Sequence, residues 1–182
     1  MAKFEVVSRF ADAGIQLPDR KTAGSGGYDL AAAEDIVIPS IETLRTKLYY
    51  AIDSDDPRTE GLSLKEMEWL TKHTECRPTL VSTGLKCQLD PGTYLELSVR
   101  SSTPLKYWLI LANSVGVIDS DYYNNPGNEG EIFLQFFNLA PFPLLIKKGD
   151  YIGQAIIHSY SVTEDDAVAN VKRVGGFGST TK

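Results

Sequence analysis

DPGTYLELSV, residues 90–99, carries the reading that decides the fold. An Asp-Pro-Gly turn signal runs directly into a stretch rich in β-branched, aromatic and leucine residues, the makeup of a short strand. The same composition recurs in residues 4–9, 36–38, 79–87, 108–112, 132–138 and 151–159. Turn-forming PGNEG (126–130) and KKGD (147–150) separate the later runs. Many short strands punctuated by Gly and Pro predict a mainly β domain, a sandwich or barrel. At 182 residues the chain suits one such domain over 1–182 with room for an insertion.

One stretch departs from this pattern. Ile41, Leu44, Leu48 and Ile52 recur near helical period behind Ser40, a good N-cap with Pro39 before it. Ser63 and Glu66 then form a capping-box pattern opening a segment in which Leu64, Met67 and Leu70 share a helix face. Residues 40–76 therefore read as a two-helix excursion, either a packing element covering one end of the sheet or a lid or partner-binding element.

Composition narrows the function classes. Hydrophobic residues make up 42% of the chain and charged residues 23%, ordinary values for a soluble globular protein. No apolar run approaches the roughly 18 residues that cross a bilayer. The N-terminus lacks the layout of a secretory signal, so a cytoplasmic protein is expected, with no membrane partner. A net charge of −6 argues against nonspecific nucleic-acid binding, yet a local basic pocket and a divalent cation can still accommodate a small polyanion. Cys76 and Cys87 have neither metal-ligand nor disulfide-framework spacing and are expected to be free thiols. His73 reads as a surface residue and His158 as structural.

Five segments place small or glycine residues beside groups able to handle a phosphate, a base or a water. They are AGSGGYDLAAA (23–33), RSS (100–102), ANSVGVIDSDYY (112–123), GDYIGQ (149–154) and KRVGGFGST (172–180). Each alone is weak except GVIDSDYY. In the last, glycines flank a single aromatic, Phe177, which suits a tail that orders when the ring stacks on a ligand and its backbone N–H groups meet an anion.

In that order the five segments resemble the motifs of the trimeric dUTP diphosphatase (dUTPase) family, in particular the dUTPase-like proteins of low-GC Gram-positive bacteria and their phages. The resemblance implies a β jelly roll of the β-clip type, with a two-helix insertion near 40–76 and a flexible C-terminal arm acting as a lid over 172–182. It implies a homotrimer whose three active sites lie at subunit interfaces and draw on all three chains. The implied reaction hydrolyses dUTP to dUMP and pyrophosphate by water attack on the α-phosphorus with Mg²⁺ on the triphosphate, lowering dUTP and supplying dUMP for thymidylate synthesis.

By this resemblance Asp119 is the water-activating carboxylate, a role that requires it ionised and within hydrogen-bond reach. The alternative is an Asp capping a hairpin turn. Asp121 is a turn or supporting residue. Asn113 reads the pyrimidine, its amide offering donor and acceptor together, with Gly116 in the same hairpin. Tyr122 packs on the deoxyribose and leaves no room for a 2′-hydroxyl. Arg100, Ser101 and Ser102 grip the phosphate chain, the guanidinium as a planar fork of donors. Gln154 is a further phosphate-side contact, or else satisfies a backbone group. Asp29 stands near the hydrated metal without ligating it directly, and Mg²⁺ itself is implied by the triphosphate, because no protein cluster here would hold it alone. Phe177 closes over the uracil, with Gly178 beside it and Arg173, Ser179 and Thr180 at the γ-phosphate.

The chain departs from the family pattern in places. The helical pair is absent from minimal members. The segment YNNPGNEGEI (123–132) is longer than the usual turn. Lys172 competes with Arg173 for the γ-phosphate role, and Thr181 stands where glycine usually ends the motif. Two other readings stay open. One is a dCTP deaminase-like enzyme, for which Glu129 or Glu131 would handle the base. The other is a phage-type dUTPase scaffold with a regulatory protein partner at 40–76.

Overall fold

The computed structural model describes residues 1–52, 61–167, 173, 175 and 176. Eleven short strands are joined by antiparallel pairing throughout: β1 (Lys3–Val6), β2 (Tyr28–Ala31), β3 (Ile36–Ile38), β4 (Thr79–Ser82), β5 (Leu85–Gln88), β6 (Thr93–Ser98), β7 (Leu109–Leu111), β8 (Gly116–Asp119), β9 (Phe133–Asn138), β10 (Leu144–Ile146) and β11 (Tyr151–Ser159). They form a four-stranded sheet β2-β11-β6-β8, a three-stranded sheet β4-β9-β7, and the pairs β1-β5 and β10-β3. Neighbours in each sheet are distant in sequence, so the chain crosses repeatedly from one sheet to the other. This is the jelly-roll solution to burying two sheet faces in one core.

That core holds Leu95, Leu97 and Ala155 from the four-stranded sheet against Leu109, Leu134 and Phe136 from the three-stranded one. Alternation along β6 buries Leu95 and Leu97 and turns Tyr94, Glu96 and Ser98 outward. The expected run 79–87 is two strands, not one. Gly84, at φ +66°, turns the backbone between β4 and β5 and packs close to Ala33 and Phe10. β2 and β8 are visible in the sequence only as motif segments, and β10 is hidden by Pro141 and Pro143 just before it.

Both helices of the insertion form: α1 (Ile41–Ala51) and α2 (Leu64–Thr74). The Ser40 hydroxyl accepts from Thr43 N, and Ser63 with Glu66 completes the reciprocal capping box. Ile52 is the C-cap of α1, outside the helix proper. Of the expected apolar faces only Leu44 and Leu70 are buried, whereas Tyr49, Tyr50, Leu64 and Trp69 are exposed. A third helix, α3 (Ser102–Tyr107), follows β6. His73 lies on α2, stacked on Trp69, and His158 lies in β11, stacked on Tyr94. Both cysteines are free and buried, and desolvation pushes the Cys87 thiol up to about 12. Among the described residues no helix is long and apolar enough to cross a membrane.

Candidate active site

The segment between β7 and β8 changes sheets, because β7 pairs with β9 and β8 pairs with β6. Asn113 sits in this crossing turn, exposed, with Ser114 at φ +61° and the Val115 N–H donating to the Asn113 carbonyl (2.6 Å). Beneath it lies a pocket of about 130 Å³ lined by Asn113, Gly116, Tyr122, Gln135, Arg173 and Gly176, among others. Gly116 forms its floor: a Cβ there would stand 3.0 Å from that of Leu97. The pocket is small and has a mixed polar and apolar lining.

Asp119 ends β8 and precedes a 3-10 turn, Ser120–Tyr122. It holds the N-cap position of that turn, but its side chain makes no capping hydrogen bond. It is instead engaged by Arg173 Nη2, while Arg173 Nε donates to Asp121 Oδ1 (2.8 Å). One guanidinium thus spans both carboxylates of the hairpin and lies 5.8 Å from the Tyr122 ring centroid. Gly176 packs on the same ring; a Cβ there would approach Tyr122 Cε2 to 2.8 Å.

Tyr122 is 5% exposed. Its phenol donates to the Glu131 carbonyl (3.1 Å) and accepts from Asn128 Nδ2 (2.6 Å). Burial raises its pKa, which keeps the phenol protonated as a donor.

The other expected residues gather elsewhere. Asp29 on β2, Gln154 on β11 and Ser98 on β6 face one another in register on the outer face of the sheet. Arg100, two residues past β6, donates from Nε to Asp29 Oδ1 (3.1 Å), and its guanidinium lies over the Tyr151 ring (5.2 Å). Lys21 Nζ lies over the same ring (4.9 Å) and donates to the Tyr151 hydroxyl (3.3 Å). Lys21 and Tyr151 are thus candidate site residues that the sequence reading passed over; the tyrosine inside GDYIGQ was the available signal. Ser101 is exposed at the N-terminus of α3 with its hydroxyl uncommitted to capping, and Ser102 is half-buried. Gln154 Nε2 reaches the Val99 carbonyl (3.5 Å), and its Oε1 occupies the space left by Gly27. Lys172, Phe177, Gly178, Ser179, Thr180 and Thr181 lie outside the described residues.

These two clusters are far apart within one chain. Asp119 pairs with Tyr94, four residues along β6 from Ser98, and lies three strands across from Asp29. At about 3.3 Å per residue and about 4.8 Å per strand, Asp119 and Asp29 are about 20 Å apart.

The two glutamates weighed as base-handling groups are committed elsewhere. Glu129 accepts from Ser8 N (2.8 Å), Ser8 Oγ (2.9 Å) and Lys86 Nζ (2.8 Å), which hold its carboxyl down at about 2, with Lys86 the largest influence. Glu131 is buried, bound twice by Arg9 (2.8 and 2.7 Å) and by the Ser82 hydroxyl. Neither lines the pocket.

Fold and site together define a jelly-roll chain with a small pocket beside a hairpin carboxylate and a separate cluster of Arg100, Lys21, Tyr151 and Asp29. The dUTPase family model matches residues 56–181, and the chain belongs to the dUTPase family. It is 36% identical over 178 residues to the deoxyuridine 5'-triphosphate nucleotidohydrolase of Lactococcus lactis, covering 97% of this chain and 95% of that protein. A dUTPase from Streptococcus mutans superposes with TM-score 0.66 at 33% identity, over 88% of this chain and 98% of that one. A dUTPase mutant from Staphylococcus aureus phage phi11, described with a structural Mg(II) ion, shares the fold at TM-score 0.58 and 16% identity, covering 98% of this chain and 99% of that one.

Proposed function

We propose that this chain hydrolyses dUTP to dUMP and pyrophosphate, in active sites assembled between copies of itself, with Asp119 activating the attacking water. The separation of Asp119 from the Asp29–Arg100–Gln154 cluster carries this reading. A general base must come within hydrogen-bond reach of its water, and Arg100 and Ser101 must touch the same triphosphate. Two clusters about 20 Å apart on one sheet face cannot both do so within one chain. A neighbouring copy can bring its own Arg100 cluster to this Asp119.

A homotrimer supports that assembly, with the C-terminal lid region as a third contribution. Exposed apolar residues, Val117 on β8 beside Asp119 and Leu80 and Ile110 on the outer face of the three-stranded sheet, give contacts between copies material to bury.

In this site Asn113 and the backbone of its turn read the uracil edge. Tyr122 occupies the space a 2′-hydroxyl would need. Arg100, Ser101 and Ser102 hold the phosphates, with Gln154, Lys21 and Tyr151 around them. A triphosphate competes with Asp119 and Asp121 for Arg173, so its arrival releases this chain's own guanidinium and frees the carboxylate for water, while the arginine that meets the γ-phosphate comes with the lid of a neighbouring copy. Phe177, Gly178, Ser179 and Thr180 complete the closure.

Among the described residues no group of three or more acidic, His or Cys side chains could hold a metal ion. Mg²⁺ would be carried on the triphosphate, where Asp29, held by Arg100, would meet it through water. When bound, the ion would neutralise charge on the phosphate oxygens. A cytoplasmic location and a regulatory partner at 40–76 belong to the same proposal; several structural neighbours are phage dUTPases described as controlling transfer of virulence genes, at 15% identity for one of them. The commitments of Glu129 and Glu131 weigh against the deaminase alternative, since neither is available to act on a base.

Separate incubation with dUTP and dCTP, with products resolved, tests the assignment. Wild type is expected to yield dUMP and pyrophosphate from dUTP. Asp119→Asn is expected to lose on the order of 10³-fold in turnover while still binding nucleotide, because the amide keeps the shape but cannot take the proton. Uridine nucleotides appearing from dCTP, or near-normal turnover in the variant, would overturn it.

A further inference from the structure

We infer that the long loop after the catalytic hairpin sets the sugar specificity of the enzyme, with Asn128 as a positioning residue that holds the Tyr122 ring rigid against a 2′-hydroxyl. This rests on the reading of Tyr122 as the residue that excludes ribose.

Steric exclusion works only if the obstacle cannot move. A tyrosine ring that can swing aside admits the larger sugar at little cost; a ring fixed at both ends does not. Tyr122 is fixed at both ends by one pair of asparagines. Asn128 Nδ2 donates to the phenol oxygen (2.6 Å), which in turn donates to the Glu131 carbonyl (3.1 Å). Asn125 Nδ2 donates to the Tyr122 backbone carbonyl (2.8 Å) and to Asn128 Oδ1 (2.8 Å). The two amides therefore brace backbone and ring tip as one unit, Asn125 buried and Asn128 half-buried, a setting where an unmet partner is costly.

The brace itself is anchored. Gly130, at φ +80°, brings the loop against the Tyr122 carbonyl so closely that a Cβ would lie 2.6 Å from that oxygen. On its two sides, Glu129 is held by Ser8 and Lys86, and Glu131 by Arg9 and Ser82. The extra length of this loop, relative to the short turn of many family members, thus has a use: it carries a polar clamp to a ring that contacts the substrate.

The test is the ratio of kcat/KM for dUTP to that for UTP, measured on the Mg²⁺-supplied full-length enzyme. Asn128→Ala removes the clamp from the phenol, and Tyr122→Phe removes the phenol from the clamp while keeping the ring. Each is expected to lower the dUTP preference roughly tenfold, through a rise in kcat/KM for UTP and a higher KM for dUTP with kcat largely kept. The double variant is expected to lose no more than either single one, because both break the same contact. A wild-type ratio in Asn128→Ala, with a lowered ratio in Tyr122→Ala, would overturn the brace and leave the sugar-excluding role of Tyr122 standing. A ratio unmoved even by Tyr122→Ala would remove that role and the brace together. Should Asn128→Ala fail to fold, Tyr122→Phe decides alone, and an unchanged ratio there overturns the inference.

Discussion

The hairpin with its following loop, residues 113–132, and the helical pair, α1 and α2, are both additions of length around the same jelly roll, yet they are built on opposite terms. In the loop nearly every polar group is committed: Asn125, Asn128, Glu129 and Glu131 each take two or more hydrogen bonds, several from residues more than a hundred positions away. In the helical pair one residue per helix is buried, and Tyr49, Tyr50, Leu64 and Trp69 face outward. The loop serves geometry at the substrate. The helices add surface that catalysis does not visibly use.

The sharpest way to break this comparison is Gly130→Ala. The methyl group would meet backbone atoms at a left-handed φ, so stability is expected to fall by about 2–4 kcal/mol, read by urea unfolding. A neutral outcome would show that the loop is not tightly docked.

Glu129→Gln should have a smaller effect with a pH signature. The folded-state pKa of Glu129 is lowered from 4.5 to about 2, so the folded state binds fewer protons than the unfolded state between those values. Its contribution is therefore fully present above about pH 4.5 and lost as pH falls towards about 2. The stability gap between wild type and the glutamine variant should be widest above pH 4.5 and close on acidification; a constant gap would contradict the assignment.

The smallest effect on catalysis is expected from replacing residues 41–76 with a short linker. kcat/KM for dUTP should stay within about twofold of wild type, while binding of any partner that uses this surface is lost. A collapse of folding on deletion would instead make the pair a structural element.

Signals local in sequence were the legible ones. Ser40 and the Ser63–Glu66 box announced both helices because caps act over three residues. GVIDSDYY was readable because a hairpin carboxylate and its neighbours lie within one short segment. What stayed hidden depends on long-range pairing. Arg173 on Asp119 and Asp121 spans more than fifty residues and has no periodic signature. Glu129 and Glu131 looked like chemistry because nothing in their own segment revealed Ser8, Arg9 or Lys86 as partners. The Thr83–Gly84 break went unseen for a related reason: only the packing of Gly84 against Ala33 and Phe10 explains why the strand turns there. The sharing of the site between chains is implied by the family resemblance alone, whereas the register that parts Asp119 from Asp29 is visible only in the fold.

That division is the central claim, and subunit complementation tests it most directly. Asp119→Asn and Arg100→Ala should each be nearly inactive alone. Co-expressed so that the chains mix, they should regain activity, since random assembly pairs an intact Asp119 with a neighbour's intact Arg100 at about a quarter of the sites. A mixture no more active than the sum of the two parents would show that one chain supplies both groups, and would contradict the shared site.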